Sequence, residues 1–111
     1  MDVEKIREYC LAKPHATESM PFGPDHLVFK VGGKIFLILA LDAIPLTINV
    51  KCNPEEAIRL REEYPQEVLP GYHMNKKHWN TVICNRRVKS SLLAEMIDKS
   101  FRLVCPPASR Q

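Results

Sequence analysis

The chain lacks a long hydrophobic run. Its longest apolar stretch, Ile35 to Leu41, has seven residues, against the roughly 20 that a membrane-spanning helix requires. A soluble protein without a membrane partner is therefore expected. Asp2, Glu4 and Glu8 interrupt the N-terminus, so no secretory signal is expected and a cytoplasmic location follows. There is no C-x-x-C pair. Cys10, Cys52, Cys84 and Cys105 lie 42, 32 and 21 residues apart, none at metal-finger spacing from a histidine. Free cytosolic thiols are the simplest reading, with two structural disulfides as the alternative. His15, His26, His73 and His78 form no H-x-x-x-H or H-E-x-x-H, so no metal and no other cofactor is expected. Glycine is scarce, with four residues. The one adjacent pair, Gly32-Gly33, leads into an apolar strand, so it reads as a hairpin turn and not a phosphate loop. No Ser, Cys or Lys sits in a recognisable activation motif, so the expectation is a protein without catalytic residues, not an enzyme.

What is present suffices for a packed core. Leu, Ile, Val and Phe account for 28% of 111 residues, above the range of disordered chains. The length argues for a single domain over residues 1–111. Charge is uneven along the chain. The net formal charge is −2 over residues 1–26, +2 over 27–53, −3 over 54–75 and +6 over 76–111. The overall +3 is thus less informative than the last third, where an anionic partner would be attracted.

Hydrophobic periodicity predicts a first helix from Asp2 to Lys13, capped by Asp2 and stopped by Pro14. A short extended segment follows over Thr17 to Phe22, then strands over Leu27 to Val31 and Lys34 to Leu41 joined at Gly32-Gly33. A strand over Leu46 to Lys51 leads to Asn53-Pro54-Glu55-Glu56, a strong helix start, and a helix to about Tyr64. Glu67 to Leu69 reads as a short strand or loop, Tyr72 to Trp79 as a loop or helical turn, and Asn80 to Cys84 as a β-branched strand. The last helix spans Ser90 to Val104 with a buried stripe of Leu93, Met96, Ile97 and Phe101. Glu95 with Lys99 and Asp98 with Arg102 are expected as i,i+4 pairs on its exposed side. The fold class is α+β: a two-layer sandwich of an antiparallel sheet of five or six strands with N-terminal, middle and C-terminal helices.

Three separate stretches resemble a known family. Tyr9 to Pro14, Glu18-Ser19-Met20-Pro21-Phe22-Gly23 and Val28 to Phe36 are similar to the N-terminal half of the MmcQ/YjbR-like proteins. Pro70 to Val82 resembles their second signature, and Ser100-Phe101-Arg102-Leu103-Val104 their C-terminal helix ending. The resemblance covers about residues 3–104. It implies a compact bacterial domain with a fold related to secretion chaperones and to frataxin-like (CyaY-like) sandwiches. It also implies a DNA-binding label attached to a double-wing surface, and no agreed catalytic residue. That label rests on fold analogy.

The sharpest constellation is Lys76-Lys77-His78-Trp79 with Arg86, Arg87 and Lys89. Cations suit phosphates, and an aromatic ring suits an unpaired base. The two groups flank one strand, so they are expected roughly 15 to 20 Å apart. The competing reading makes Trp79 a core anchor and the lysines merely solvated. Cys10 and Cys84 read as packing residues, and Glu18 and Asn80 as residues that could line a cleft. Met20, Pro21, Phe22 and Pro24 read as a segment that seals a sheet edge or receives a partner strand. A small-molecule pocket under the Tyr72 to Trp79 loop is a third idea. The sequence thus supports a non-enzymatic DNA-binding domain of low specificity. The alternative is a chaperone-like or adaptor domain that binds a protein segment.

Overall fold

The computed structural model describes residues 1–85 and 87–106. Helix α1 (Val3–Leu11) is capped as expected, the Asp2 carboxylate accepting from the Lys5 amide at 2.9 Å. Strands β1 (Thr17–Ser19), β2 (His26–Val31), β3 (Lys34–Ala40) and β4 (Thr47–Lys51) follow. Gly32 and Gly33 both take positive φ, 56° and 77°, which a two-residue hairpin needs. Helix α2 (Pro54–Glu63) starts at Asn53, whose side chain accepts from the Glu55 amide. The segment read as strand or loop is strand β5 (Val68–Pro70). Strand β6 (Trp79–Ile83) and helix α3 (Ser90–Val104) complete the chain. The extended segment after α1 is shorter than expected: β1 ends at Ser19, and Met20 and Phe22 lie exposed beyond it.

The six strands form one antiparallel sheet in the order β1-β2-β3-β4-β6-β5. Directly paired residues share a face, so the register sorts every strand side chain. Phe29, Leu37, Leu39, Ile48, Val50 and Val82 face one way and join the core with Ile6, Leu93, Ile97 and Phe101 of the helices. All three helices pack on this face: α1 through Arg7 to Glu18, α2 through Arg61 to Asn80, and α3 against β3 and β4. On the other, outer face a lateral row Ser19–Val28–Ile38–Asn49–Thr81–Leu69 crosses all six strands.

The β2–β3 pairing contains a bulge, where the register slips at Phe29/Lys30. The extra residue lets consecutive Phe36 and Leu37 both enter the core. Phe36 then packs edge-on to Phe101 of α3, ring centroids 5.2 Å apart. A bulge leaves backbone groups without ladder partners. Here Ser100 of α3, fully buried, supplies them. Its hydroxyl donates to the Phe36 carbonyl at 2.5 Å and accepts from the Lys51 amide at 2.8 Å.

Helices α1 and α3 are joined by Asp98, which accepts from the Tyr9 hydroxyl at 2.8 Å and from Lys13 Nζ at 2.5 Å. This corrects the expected pairing of Asp98 with Arg102. Lys13 also sits over the Tyr9 and Phe101 rings, so the tertiary partner outcompetes the exposed helical neighbour. The Glu95–Lys99 pair does form, at 3.2 Å. Burial raises the Asp98 carboxyl, but hydrogen bonds from Lys13 and Tyr9 outweigh it and hold the group below its ordinary range. Burial, and then the bond to Asp98, push the Tyr9 phenol up to about 12.

Two outcomes are expected. Ser100→Ala strands a buried amide and a buried carbonyl and should cost about 1 to 3 kcal/mol in urea unfolding. Asp98→Asn should cost about 1 to 3 kcal/mol at pH 7. Because the folded carboxyl titrates below the unfolded value of 3.8, its contribution is complete above that pH and is lost as pH falls through the lowered folded value. The stability difference between Asp98→Asn and the unaltered chain should therefore shrink below pH 4.

Candidate nucleic-acid interface

The loop between β5 and β6 carries Lys76, Lys77, His78 and Trp79, and its conformation is tightly determined. Asn75 accepts from the Lys77 amide at 2.9 Å through its side chain and from the Trp79 amide at 3.0 Å through its carbonyl, forming a compact turn. Gly71 and Trp79 close the loop, the Gly71 amide donating to the Trp79 carbonyl at 2.9 Å. A methyl group at Gly71 would lie 2.7 Å from the Trp79 Cβ and 3.0 Å from its carbonyl oxygen, so glycine is required by contact here.

Arg61, on the α2 face turned toward the sheet, holds the far end of the loop. Its guanidinium donates to the Asn80 side chain at 2.7 Å, to the Trp79 carbonyl at 3.2 Å and to the Lys76 carbonyl. Sequence reasoning missed this residue. Set among Glu62 and Glu63 it reads as part of a solvated charge run, and only the fold brings three acceptors to it.

Trp79 is partly buried and pairs across strands with Lys51. The core-anchor reading puts its side chain in the core, but the register turns it to the outer face, because Asn80 and Val82 take the inner one. Lys30 projects from the same face near this end of the sheet, opposite Thr17 and Ile35. Topology therefore brings Lys30 and Lys51 to one end of the outer face, the end at which the loop carrying Lys76 and Lys77 joins β6. Lys76 and Lys77 are exposed, and His78 is half-buried with its carbonyl bonded to the Cys52 amide at 2.7 Å.

The other half of the predicted cluster lies elsewhere. Arg87 and Lys89 follow β6, at the opposite end of a five-residue strand, a span of about 17 Å. Arg87 donates to the Gln66 side chain and lies 3.7 Å from Glu67. Lys89 is exposed at the start of α3. Arg86 lies outside the described residues.

Charge is partitioned between the two layers. The three helices hold eight carboxylates and six Lys or Arg; the strands hold Lys30, Lys34 and Lys51 against a single carboxylate, Glu18, which is tied to Arg7. On the helix side Arg7, Lys13, Arg59 and Lys99 are all ion-paired. Among the described residues Lys30, Lys51, Lys76 and Lys77 make no ion pair, and no outward-facing strand position carries a carboxylate.

A cavity of about 280 Å³ lies between α2 and α3, floored by Cys52, Leu60, Asn80 and Met96. Its rim is a lattice in which Glu56 takes Arg59 at 2.6 Å and Lys99 at 3.0 Å. Hydrogen bonds from Arg59 and then Lys99 hold the Glu56 carboxyl below its ordinary range. Asn80 thus lines a cavity, while Glu18 lies four strands away at the sheet edge, bonded to Arg7. Cys10, Cys52 and Cys84 carry free thiols. Burial pushes Cys10 up to about 12 and Cys84 up to about 11, holding both protonated and weakly nucleophilic. No group of three or more His, Cys, Asp or Glu among the described residues is arranged to hold a metal, and no helix among them is long and apolar enough to cross a membrane.

A family model described as YjbR matches residues 11–103. The uncharacterized protein YbdF of Escherichia coli O157:H7 is 39% identical over 102 residues, covering 91% of this chain and 82% of that protein. The uncharacterized protein YjbR of Escherichia coli K12 is 28% identical over 102 residues, covering 92% and 86%. The crystal structure of Deinococcus radiodurans protein DR2400 is similar with a TM-score of 0.90 and 37% identity, over 97% of this chain and 84% of that one. A Pseudomonas syringae protein is similar with a TM-score of 0.77 and 26% identity, over 94% and 99%.

Arg61→Ala should loosen the loop without dissolving the sheet. Hydrogen exchange of the amides from Lys77 to Asn80 should accelerate at least tenfold, while that of β3 stays unchanged, and the Trp79 emission should shift to the red.

Proposed function

The chain belongs to the YjbR family, and from the charge layout of this member we propose that it is a DNA-binding domain that contacts phosphates through the outer sheet face. One observation carries the reading: Lys30 and Lys51 project from an outer sheet face whose strand positions carry no carboxylate, Lys76 and Lys77 stand exposed in the loop at the same end, and none of the four makes an ion pair among the described residues, whereas Arg7, Lys13, Arg59 and Lys99 on the helix side are all paired. A polyanion gains most where cations have no internal partner to give up.

Lys30, Lys51, Lys76 and Lys77 act as point charges on phosphate oxygens, which fixes position but carries no sequence information. Binding is accordingly of low sequence preference and needs no catalytic step. The interface differs from the linear cluster. Lys30 and Lys51 join it, and Arg87, engaged with Gln66 and Glu67, contributes little.

A second reading, an adaptor that receives a protein segment, is favoured by a different feature. Edge strand β1 runs directly into Met20 and Phe22, exposed to 45% and 61%. A partner strand added at β1 would cover both side chains.

Fluorescence anisotropy of labelled DNA at two salt concentrations tests the first reading. Four phosphate contacts predict a log–log slope of about −3 to −4. Lys51→Ala with Lys76→Ala and Lys77→Ala should reduce that slope by about 2 to 3 units. Arg87→Ala with Lys89→Ala should change it by less than about 1. A salt-independent affinity would reject the phosphate-contact reading, and a protein partner lost on Phe22→Ser would support the second.

A further inference from the structure

The loop presents an aromatic ring that phosphate contact does not use. Residues 71–73 turn back toward the outer face, where the Tyr72 amide donates to the Thr81 hydroxyl at 3.0 Å and that hydroxyl donates to Asn49 at 2.5 Å. Thr81 and Asn49 stand in the lateral row of the outer face. The Tyr72 backbone is therefore fixed, yet its side chain is 69% exposed. The His73 ring lies against it, centroids 3.9 Å apart, and His73 itself takes a left-handed backbone, φ 60°, which a β-carbon disfavours. The anchored backbone and the His73 ring together hold Tyr72 in a defined place on the surface.

Resting on the reading of the outer face as a DNA surface, we infer that the preferred ligand is single-stranded, with an unpaired base stacked on Tyr72 and its phosphates on Lys76 and Lys77. In a duplex the base faces are already stacked on one another, so the Tyr72 ring has nothing to take up. An unpaired base offers its π-face to any aromatic ring, regardless of sequence. The architecture agrees. Reading a duplex through its major groove needs an element that enters it, usually a helix, and all three helices pack on the opposite side of the sheet. The centre of the outer face is closed, with Val28, Ile38 and Thr81 buried, so contact falls to the end that carries Lys30 and Trp79. Between Lys30 on β2 and Trp79 on β6 lie three strand spacings, about 14 Å. That is room for a short stretch of unpaired nucleotides, at the lower end of the site sizes of single-strand platforms.

The test uses the full chain and a fluorescein-labelled 12-nucleotide single strand, beside the same sequence as a duplex, at low salt. The single strand should bind at least tenfold more tightly than the duplex. Tyr72→Ala should weaken single-strand binding by about 5- to 100-fold and leave duplex binding unchanged, and Tyr72→Phe should retain the affinity of the unaltered chain. Equal affinity for both forms, or a Tyr72→Ala variant within twofold of the unaltered chain on the single strand, overturns the inference. If Lys76→Ala with Lys77→Ala still lowers the salt slope by about 1 to 2 units in that case, the DNA reading stands without it. Absence of binding to either form at low salt overturns both.

Discussion

The hydroxyl of Ser100 is where the two layers of the molecule depend on each other. The bulge in the β2–β3 hairpin brings Phe36 into the core beside Leu37, and this costs two backbone groups their places in the ladder. Ser100 meets both, one on β3 and one on β4. A long helix is thereby keyed to the sheet at a single register, and its apolar stripe falls over the ring of Phe36. The amide it holds belongs to Lys51, whose side chain stands on the other surface of the sheet next to Trp79. A buried contact of the core thus sets the position of a residue in the candidate interface.

From that register follows the division of charge. With the helices confined to one side, half of their carboxylates and three of their six cations close into ion pairs, among them Asp98–Lys13 and Glu56–Lys99. Alternation along the strands then decides what is left on the other side. Lys30 and Lys51 turn outward because Phe29 and Val50 turn inward. The surface charge is therefore a by-product of core patterning as much as of the basic C-terminal third.

Much of the architecture was legible in the residues. The bounds of α3, the caps Asp2 and Asn53, and the Gly32-Gly33 hairpin follow from local rules that tertiary structure did not override. The candidate site was legible only in part. Lys76 and Lys77 stood out because they are adjacent in sequence, whereas Lys30 and Lys51, 21 positions apart, meet only through strand register. Arg87 stood out for the same reason as the lysines, yet the fold takes it to the far end of β6 and gives it to Gln66 and Glu67. Arg61 and Ser100 were hidden because a lone Arg in a charged helix and a lone Ser in an apolar one carry no local signal of their distant partners. Asp98 misled because an i+4 arginine is visible in sequence and a lysine 85 residues away is not.

The absence of carboxylates from the outward strand positions has a consequence for how copies of the chain would arrange themselves. A particle with cations on both flanks can hold two polyanions at once and draw them together into condensed bundles. On the proposed function, this molecule would offer attraction on one flank and a layer with excess carboxylate on the other. Its electric dipole would turn it sheet-first before contact. Once seated, it would present a weakly acidic exterior that repels a second strand. Many copies along one polymer would therefore form a sheath around it and would not cross-link it to its neighbours.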